Sequence, residues 1–388
     1  MHPEPATQPR ALPRIASGTY FYLAASLYAV VVLPWSVLAI TGLVPGPPSL
    51  ATPLGHAHEM LLGYALAVVA GNQLGALSPL RLRLLLAVWL LARVVFVASA
   101  GAIAAAFDIA FIVALGLHAA PRLFRAAKKL RNQALPAILS ALCVGAVAFD
   151  IAAFVAGVAT VHAIVVAIVL VLAALMLFMG GRIIAPAAAG QFYRQGSTLD
   201  ARVQPRIEAA IIVAMALAVV AAPVAPLMPV MRLACAVAGA LALVRLLRWR
   251  LWACQGRPDL WCLGVGYAWL AAGLLAIAAA AQSPLRTAAL HLVTVGALGT
   301  LTFNVMATMM LTRARCSCAD DSRLGWGTLL IGLATAGRVA AALAPAHAVE
   351  LLVAAAACWS GAFVVLTWVL IDALRAYARR PKSEFLPG

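Results

Sequence analysis

Two short histidine-bearing patches have residue types and positions that could carry chemistry. Residues 55–60 read Gly-His-Ala-His-Glu-Met, and residues 291–300 read His-Leu-Val-Thr-Val-Gly-Ala-Leu-Gly-Thr. Each patch stands at the start of an apolar segment long enough to cross a membrane. Polar side chains are expensive in hydrocarbon, so they usually mark an ion path, a cofactor or a proton relay. We therefore expect a ligand or proton site at these positions.

The chemistry that best fits two imidazoles on separate membrane helices is axial ligation of a haem. Ligation of this kind needs histidines that face each other at one depth, and nearby arginines can neutralise the two propionates. The candidate iron ligands are His56, His58 and His291. Arg93 and Arg338 are the candidate propionate partners. The expected cofactor is haem b.

His56 and His58 cannot both address one iron from a regular helix, because residues two apart point about 200° away from each other. One of them would ligate iron and the other would serve a second site. Glu59 lies three residues after His56 and so shares its helix face, where it could accept the other imidazole N–H. Glu59 is also the candidate catalytic group, as a proton donor beside the metal.

Composition predicts an all-α polytopic membrane protein that forms a single integral membrane domain over residues 1–388. The chain is 65% hydrophobic and only 10% charged, whereas soluble domains carry about 25% charged residues. The apolar runs predict twelve membrane-spanning helices. They lie near residues 20–41, 54–77, 82–100, 101–120, 134–156, 160–186, 207–226, 230–249, 260–281, 285–311, 324–344 and 347–377.

The net charge of +16 is distributed over alternate connectors, which indicates membrane topology and argues against nucleic-acid binding. The opposite connectors carry little positive charge apart from Arg286. Twelve spans then place both termini in the cytoplasm. The basic connectors hold Arg10 and Arg14; Arg81 and Arg83; Arg122, Arg125, Lys128, Lys129 and Arg131; Arg194, Arg202 and Arg206; Arg245, Arg248, Arg250 and Arg257; Arg313, Arg315 and Arg323; and Arg375, Arg379, Arg380 and Lys382.

With this topology, several other polar residues fall in the outer half of the membrane, at the depth of the histidines. They are Arg93, Asp108, Asp150, His162 and Arg338. Asp108 and Asp150, with the two arginines, could also form a proton or anion relay without any metal. A haem-free transporter coupled to protons or anions is therefore the alternative function.

Arg182 closes the sixth span at the inner side, where it would anchor the helix, clamp an anion or pair with Asp200.

Five motifs in chain order resemble the NnrS family. They are His56-Ala57-His58-Glu59-Met60, Gly180-Gly181-Arg182-Ile183-Ile184, Leu199-Asp200, the stretch Arg245 to Trp252 with Arg257-Pro258-Asp259-Leu260-Trp261, and His291 to Thr300. The resemblance covers most of the chain. It implies a twelve-helix bacterial inner-membrane protein associated with haem and copper, and with nitric oxide metabolism or resistance to nitrosative stress. The histidines on spans two and ten also resemble the arrangement in the haem-copper oxidase catalytic subunit.

The expected mechanism depends on how many histidines bind the iron. Two axial histidines leave no open position and suit the transfer of one electron from a donor that the sequence does not identify. A single histidine would leave a face open to nitric oxide, with the other imidazole and Glu59 on that side to hold copper or supply protons. Whether the protein turns over nitric oxide or only responds to it stays open.

The chain departs from the family pattern at the inner end of the tenth span. Val305-Met306-Ala307-Thr308 lacks the arginine, and Leu311-Thr312-Arg313 lacks the histidine, that the family carries there. The pattern also has a tryptophan where this chain has Gly55. We therefore expect a diverged member that keeps the outer haem pocket and has altered a second, inner centre.

Overall fold

The computed structural model describes residues 14–129, 132–280 and 283–379. The predicted cytoplasmic position of the two chain ends rests on residues that lie partly outside these ranges. Arg10, Arg131, Arg380 and Lys382, which contribute to the predicted charge asymmetry, also lie outside them.

Helices make up nearly all of the described chain, because long apolar runs hydrogen-bond their own backbone most completely in this form. The helices are α1 (Gly18–Ile40), α2 (Pro53–His58), α3 (Leu66–Gln73), α4 (Pro79–Ala98), α5 (Ala102–Ala126), α6 (Ala134–Val155), α7 (Val158–Arg194), α8 (Pro205–Ala221), α9 (Met228–Arg248), α10 (Pro258–Ala279), α11 (Ser283–His291), α12 (Thr300–Arg313), α13 (Ser322–Leu343) and α14 (Ala348–Ala378). Short 3₁₀ turns lie at Asp200–Arg202, Ala225–Leu227, Leu251–Ala253 and Pro345–His347.

The all-α polytopic class predicted from the sequence is confirmed. Within the described residues, ten helical segments are long and apolar enough to cross a membrane. The other two predicted spans correspond to residues 53–73, which a π-helical segment divides, and to α4, which carries Arg81, Arg83 and Arg93. Helices therefore occupy all twelve predicted positions.

Each span packs mainly against its neighbours in chain order, and α1 closes the arrangement by packing against α14. The hydroxyl of Ser26 on α1 donates to the Phe363 carbonyl of α14 at 3.1 Å. The long helix α7 lies at the centre: 78% of its most apolar 18-residue stretch is buried, against 33% for α1. Most basic residues at the helix ends lie at one end of the bundle, which we call the arginine-rich end, whereas Arg232 and Arg286 lie at the other. The opposite end, where α2 and α11 begin, is called the histidine-bearing end.

The second and tenth spans share an unusual backbone feature directly after their histidines. A π-helical segment follows α2 over Glu59–Ala65, and another follows α11 over Leu292–Gly299. π-helical turns are rare and are found mostly at functional sites. Tyr64, within the first of these segments, and Thr302, just after the second, join the two spans by a hydrogen bond of 2.5 Å between their hydroxyls.

A glycine pair in α7 allows two bulky side chains to pack against this central helix. The Tyr267 ring of α10 lies where a Gly180 side chain would be, and the Arg245 guanidinium of α9 lies where a Gly181 side chain would be. Arg245 donates to the Leu177 carbonyl at 3.1 Å. The glycines of the Gly180-Gly181-Arg182 motif are thus required by close helix packing.

Strands are minor in the described chain. Residues Ile15–Ala16 (β1) pair antiparallel with Ala76–Leu77 (β2), with Ile15 opposite Leu77. The pair ties the segment before α1 to the segment between the second and third spans at the arginine-rich end.

Candidate functional site

His56 and His291 lie at the histidine-bearing end, near enough for their imidazoles to interact electrostatically, and we call them the imidazole pair. Nδ1 of His56 lies 2.7 Å from the Ser36 hydroxyl, and Nδ1 of His291 lies 2.7 Å from the Thr287 carbonyl oxygen. A carbonyl only accepts, so the proton of neutral His291 is on Nδ1 and its Nε2 presents a lone pair. Neither Nε2 atom has a hydrogen-bond partner among the described residues. Metal-binding histidines are commonly oriented in this way, by a hydrogen bond from the nitrogen that does not bind the metal.

Arg338 completes this group from α13. It lies close enough to both imidazoles for their charges to interact, and the two imidazoles interact with each other in the same way. Arg338 forms no ion pair with any carboxylate of the described chain. All three side chains are half-buried. The arrangement therefore has two open nitrogen ligands beside a guanidinium that can receive an anionic group.

A second cluster lies beside this pair and is fully enclosed. It consists of His58, Glu59, Arg93, Asp108 and Asp150, which are between 0% and 6% exposed. The Arg93 guanidinium contacts Glu59 Oε1 at 2.5 Å and also contacts the Asp108 carboxylate. Tyr28 of α1 donates its hydroxyl proton to Glu59. We call these five residues the buried carboxylate cluster.

Both ring nitrogens of His58 face carboxylates of this cluster. Nδ1 lies 2.7 Å from Glu59 Oε1, and Nε2 lies 3.0 Å from Asp150 Oδ1. The imidazole also stacks on Phe96, with ring centroids 4.0 Å apart and ring planes 4° apart. His58 is therefore committed to the buried carboxylate cluster, whereas His56 lies with His291.

The expectation that Glu59 accepts the second N–H of His56 is wrong. The Ser36 hydroxyl occupies that position at His56, and Glu59 instead contacts His58. The reason lies in the backbone, because a π-helical segment begins at Glu59 and its wider turn breaks the three-residue alignment of a regular helix. Glu59 thus joins the buried carboxylate cluster.

The structure places the two predicted propionate partners in different environments. Arg93 is buried among protein carboxylates, so its charge is already compensated. Arg338 lies beside the imidazole pair. Arg338 is therefore better placed than Arg93 to bind an anionic group near His56 and His291.

At the arginine-rich end, Arg182 forms no ion pair with Asp200 in the described structure. Its guanidinium donates to the Asn132 side chain at 2.8 Å and lies 3.5 Å from the Glu208 carboxylate. The predicted pairing with Asp200 is therefore wrong. Glu208 is in the first turn of α8 and reaches α7 more directly than the loop does.

A mostly apolar pocket lies between the second, sixth, ninth and tenth spans. It begins at Ala65 on the second span and at Leu298 on the tenth, both deeper in the bundle than the histidines. Asn72, Gln73 and Thr302 supply its few polar groups. The pocket therefore lies inward of the imidazole pair and does not contain it.

Ser36, Tyr28 and Phe96 contribute to the two clusters but were not predicted from the sequence. Ser36 and Tyr28 belong to the first span, and Phe96 belongs to the third. Each is an ordinary residue in an apolar helix, so its type carries no local signal. Only the packing of separate helices reveals its partner.

Comparison with protein families identifies the chain. A family model described as NnrS protein matches residues 19–377, almost the whole sequence. The chain belongs to the NnrS family. Comparison with curated proteins gives no match. Membership of the NnrS family, which the sequence motifs had indicated, makes this chain a membrane protein related to nitric oxide.

Proposed function

We propose that this chain is a haem-binding protein of the bacterial inner membrane that acts in nitric oxide metabolism or in resistance to nitrosative stress. The haem is held between the second and tenth spans near the periplasmic face. The observation that carries the proposal is the pair of open Nε2 atoms on His56 and His291 at the same end of the bundle.

The residues present fit a haem in three respects. The two imidazoles come from different spans and are oriented by their Nδ1 atoms, which leaves Nε2 for iron. Arg338 is near them and has no carboxylate partner in the described chain, so its guanidinium is available to pair with a propionate. Gly296 lies one to two turns below His291 and packs against Trp269, so aromatic surface is close to the pair.

When bound through two histidines, the haem would supply transfer of one electron. The protein residues would position it and compensate its charge. The Ser36 hydroxyl, which donates its own proton to the Leu33 carbonyl, and the Thr287 carbonyl would hold the imidazoles in one orientation and one tautomer. Arg338 would compensate a propionate in a medium where an unpaired charge is costly. Nitric oxide is the proposed small-molecule partner; copper stays unplaced by this pair.

The buried carboxylate cluster supports a second candidate function, a haem-free transporter coupled to protons or anions. Asp108, Asp150 and Arg93 are ionisable groups buried in helices that span the bundle, and such groups often form transport paths. The two functions differ in one visible property, because only the first requires a coloured protein.

The test is the absorption spectrum of the protein purified in detergent. We expect a Soret band with sharp α and β bands after reduction, and we expect His56→Ala and His291→Ala each to abolish or shift them. His347→Ala, a change of a histidine at the start of α14, should leave the spectrum unchanged. A colourless wild type, or absorption bands that survive both substitutions, would contradict the proposal.

A second measurement, the consumption of nitric oxide in the presence of a reduced electron donor, separates an enzyme from a sensor. An enzyme would consume nitric oxide under these conditions, and a sensor would not.

A further inference from the structure

We propose that the buried carboxylate cluster binds one divalent first-row metal cation between His58, Asp108 and Asp150. The site does not depend on haem, because it shares no side chain with the His56–His291 pair. Its three ligands come from the second span, α5 and α6, so the ion would join three helices at the histidine-bearing end.

The geometry around His58 supports a cation there. Glu59 Oε1 accepts from Arg93 at 2.5 Å and lies 2.7 Å from His58 Nδ1, so Nδ1 carries the proton that this contact needs. Neutral His58 then presents a lone pair at Nε2. That lone pair faces Asp150 Oδ1 at 3.0 Å and Asp108 Oδ2 at 3.7 Å. Acceptors this close need either a proton or a metal cation between them.

The distances are near those of a coordination sphere. Nε2 of His58 and one oxygen from each aspartate all lie within 4.8 Å of one another. Nitrogen and oxygen ligands about 2.1 Å from one ion lie roughly 3.0–3.4 Å apart in octahedral or tetrahedral geometry. Asp108 Oδ2 and Asp150 Oδ2 are buried and have no hydrogen-bond partner among the described residues. These oxygens are therefore free to bind an ion.

Charge balance supports a divalent ion. The cluster holds three carboxylates, on Glu59, Asp108 and Asp150, and one guanidinium, on Arg93. With His58 neutral, the sum is −3 + 1 = −2, and uncompensated charge in a membrane interior is strongly unfavourable. One divalent cation brings the sum to zero. Glu59 would then play the part of the carboxylate that fixes a metal-binding imidazole in its tautomer.

One imidazole and two carboxylates form a ligand set of nitrogen and oxygen atoms. Such sets suit Zn²⁺, Mn²⁺, Fe²⁺ and Co²⁺ rather than the cations that prefer sulfur ligands. Co²⁺ is a convenient probe, because its visible absorption reports its coordination and does not rely on any activity of the protein.

The experiment titrates chelator-treated, detergent-purified protein with Co²⁺ alone and measures bound metal by equilibrium dialysis and elemental analysis. We expect one ion per wild-type chain and at least tenfold weaker binding in Asp108→Asn and Asp150→Asn. Glu59→Gln should weaken binding by about 10–100-fold, as changes to partners of metal-binding histidines do. Asp372→Asn, at a carboxylate of the opposite end, should bind Co²⁺ like the wild type.

The same samples separate this site from the haem site. His291→Ala should lose the Soret band and keep Co²⁺ binding, while Asp150→Asn should do the reverse. If the aspartate variants do not fold, X-ray absorption of the wild-type Co²⁺ complex decides: it must show one imidazole and carboxylate oxygens. A wild type that binds no stoichiometric Co²⁺, or aspartate variants with unchanged affinity, would overturn the proposal and show that protons balance the cluster.

Discussion

Two histidines separated by one residue have different environments in this protein. His56 is half-buried, faces His291 and keeps its Nε2 open, whereas His58 is enclosed by carboxylates. The difference follows from their angular separation on the helix, which directs them to opposite sides. A short His-Ala-His sequence can thus contribute to two separate sites in one membrane protein.

Arg93 is the residue whose loss should destabilise the buried carboxylate cluster most directly. We expect Arg93→Leu to lower the free energy of unfolding by about 3–5 kcal/mol, because it leaves Glu59 and Asp108 buried without their common cation. Thermal denaturation in detergent measures this effect. The control, Arg83→Leu, changes an exposed arginine of the same helix and should alter the midpoint little. Equal midpoints for the two variants would refute this account.

The sequence predicts the polar members of the site better than it predicts their pairing. His56, Glu59, Asp108, Asp150 and Arg338 stand out because polar residues are rare in the spans, and the structure places them near the same end. Their partners depend on the packing between helices, which the local spacing does not specify. The division of the two histidines between two clusters could be anticipated from the helical angle alone.

Two backbone features of the helices shape the candidate site and the core. The two π-helical segments follow directly after the histidines of the site, and the glycine pair of α7 lets other helices pack closely in the core. The twelve helical positions could be predicted because apolar length is a property of each segment by itself. The π-helical turns could not, because they depend on how Glu59–Ala65 and Leu292–Gly299 pack against other spans. The prediction that Glu59 pairs with His56 is wrong because it assumes a regular α-helix at this position.

The packing at Gly180 predicts a contrast within one helix. Gly180→Ala should destabilise the protein by about 1–3 kcal/mol, because the new methyl group would lie 2.5 Å from the fully buried Tyr267 ring. Gly190→Ala, where no atom lies within 4 Å, should instead stabilise α7 by about 0.5–1 kcal/mol. Thermal denaturation of both variants provides the measurement. A destabilised Gly190→Ala, or an unaffected Gly180→Ala, would be the contrary result.

For the whole molecule, the position of the basic residues predicts the orientation in the membrane. The ends of α5, α7 and α9 carry arginines, as does the start of α4, and short connectors rich in arginine stay in the cytoplasm. We therefore propose that the histidine-bearing end faces the periplasm, as the haem site requires.

Fusions to reporter proteins can test this orientation. Alkaline phosphatase inserted after Gly157, between α6 and α7, should be active, because that connector would reach the periplasm. The same enzyme inserted after Gly196, beyond the end of α7, should be inactive, and green fluorescent protein placed there should fluoresce. The reverse pattern would place the histidines in the cytoplasm and contradict the proposed location.

The contact between the first and last spans has a consequence for synthesis. α1 leaves the ribosome first, yet the helix against which it packs, α14, begins at Ala348. At about 5–20 residues per second, translation of the intervening chain takes roughly 15–60 s. During that time the Ser26 hydroxyl of α1 must remain in the lipid without the Phe363 carbonyl that finally accepts its proton. Assembly of the bundle can therefore be completed only after the last helix has been inserted.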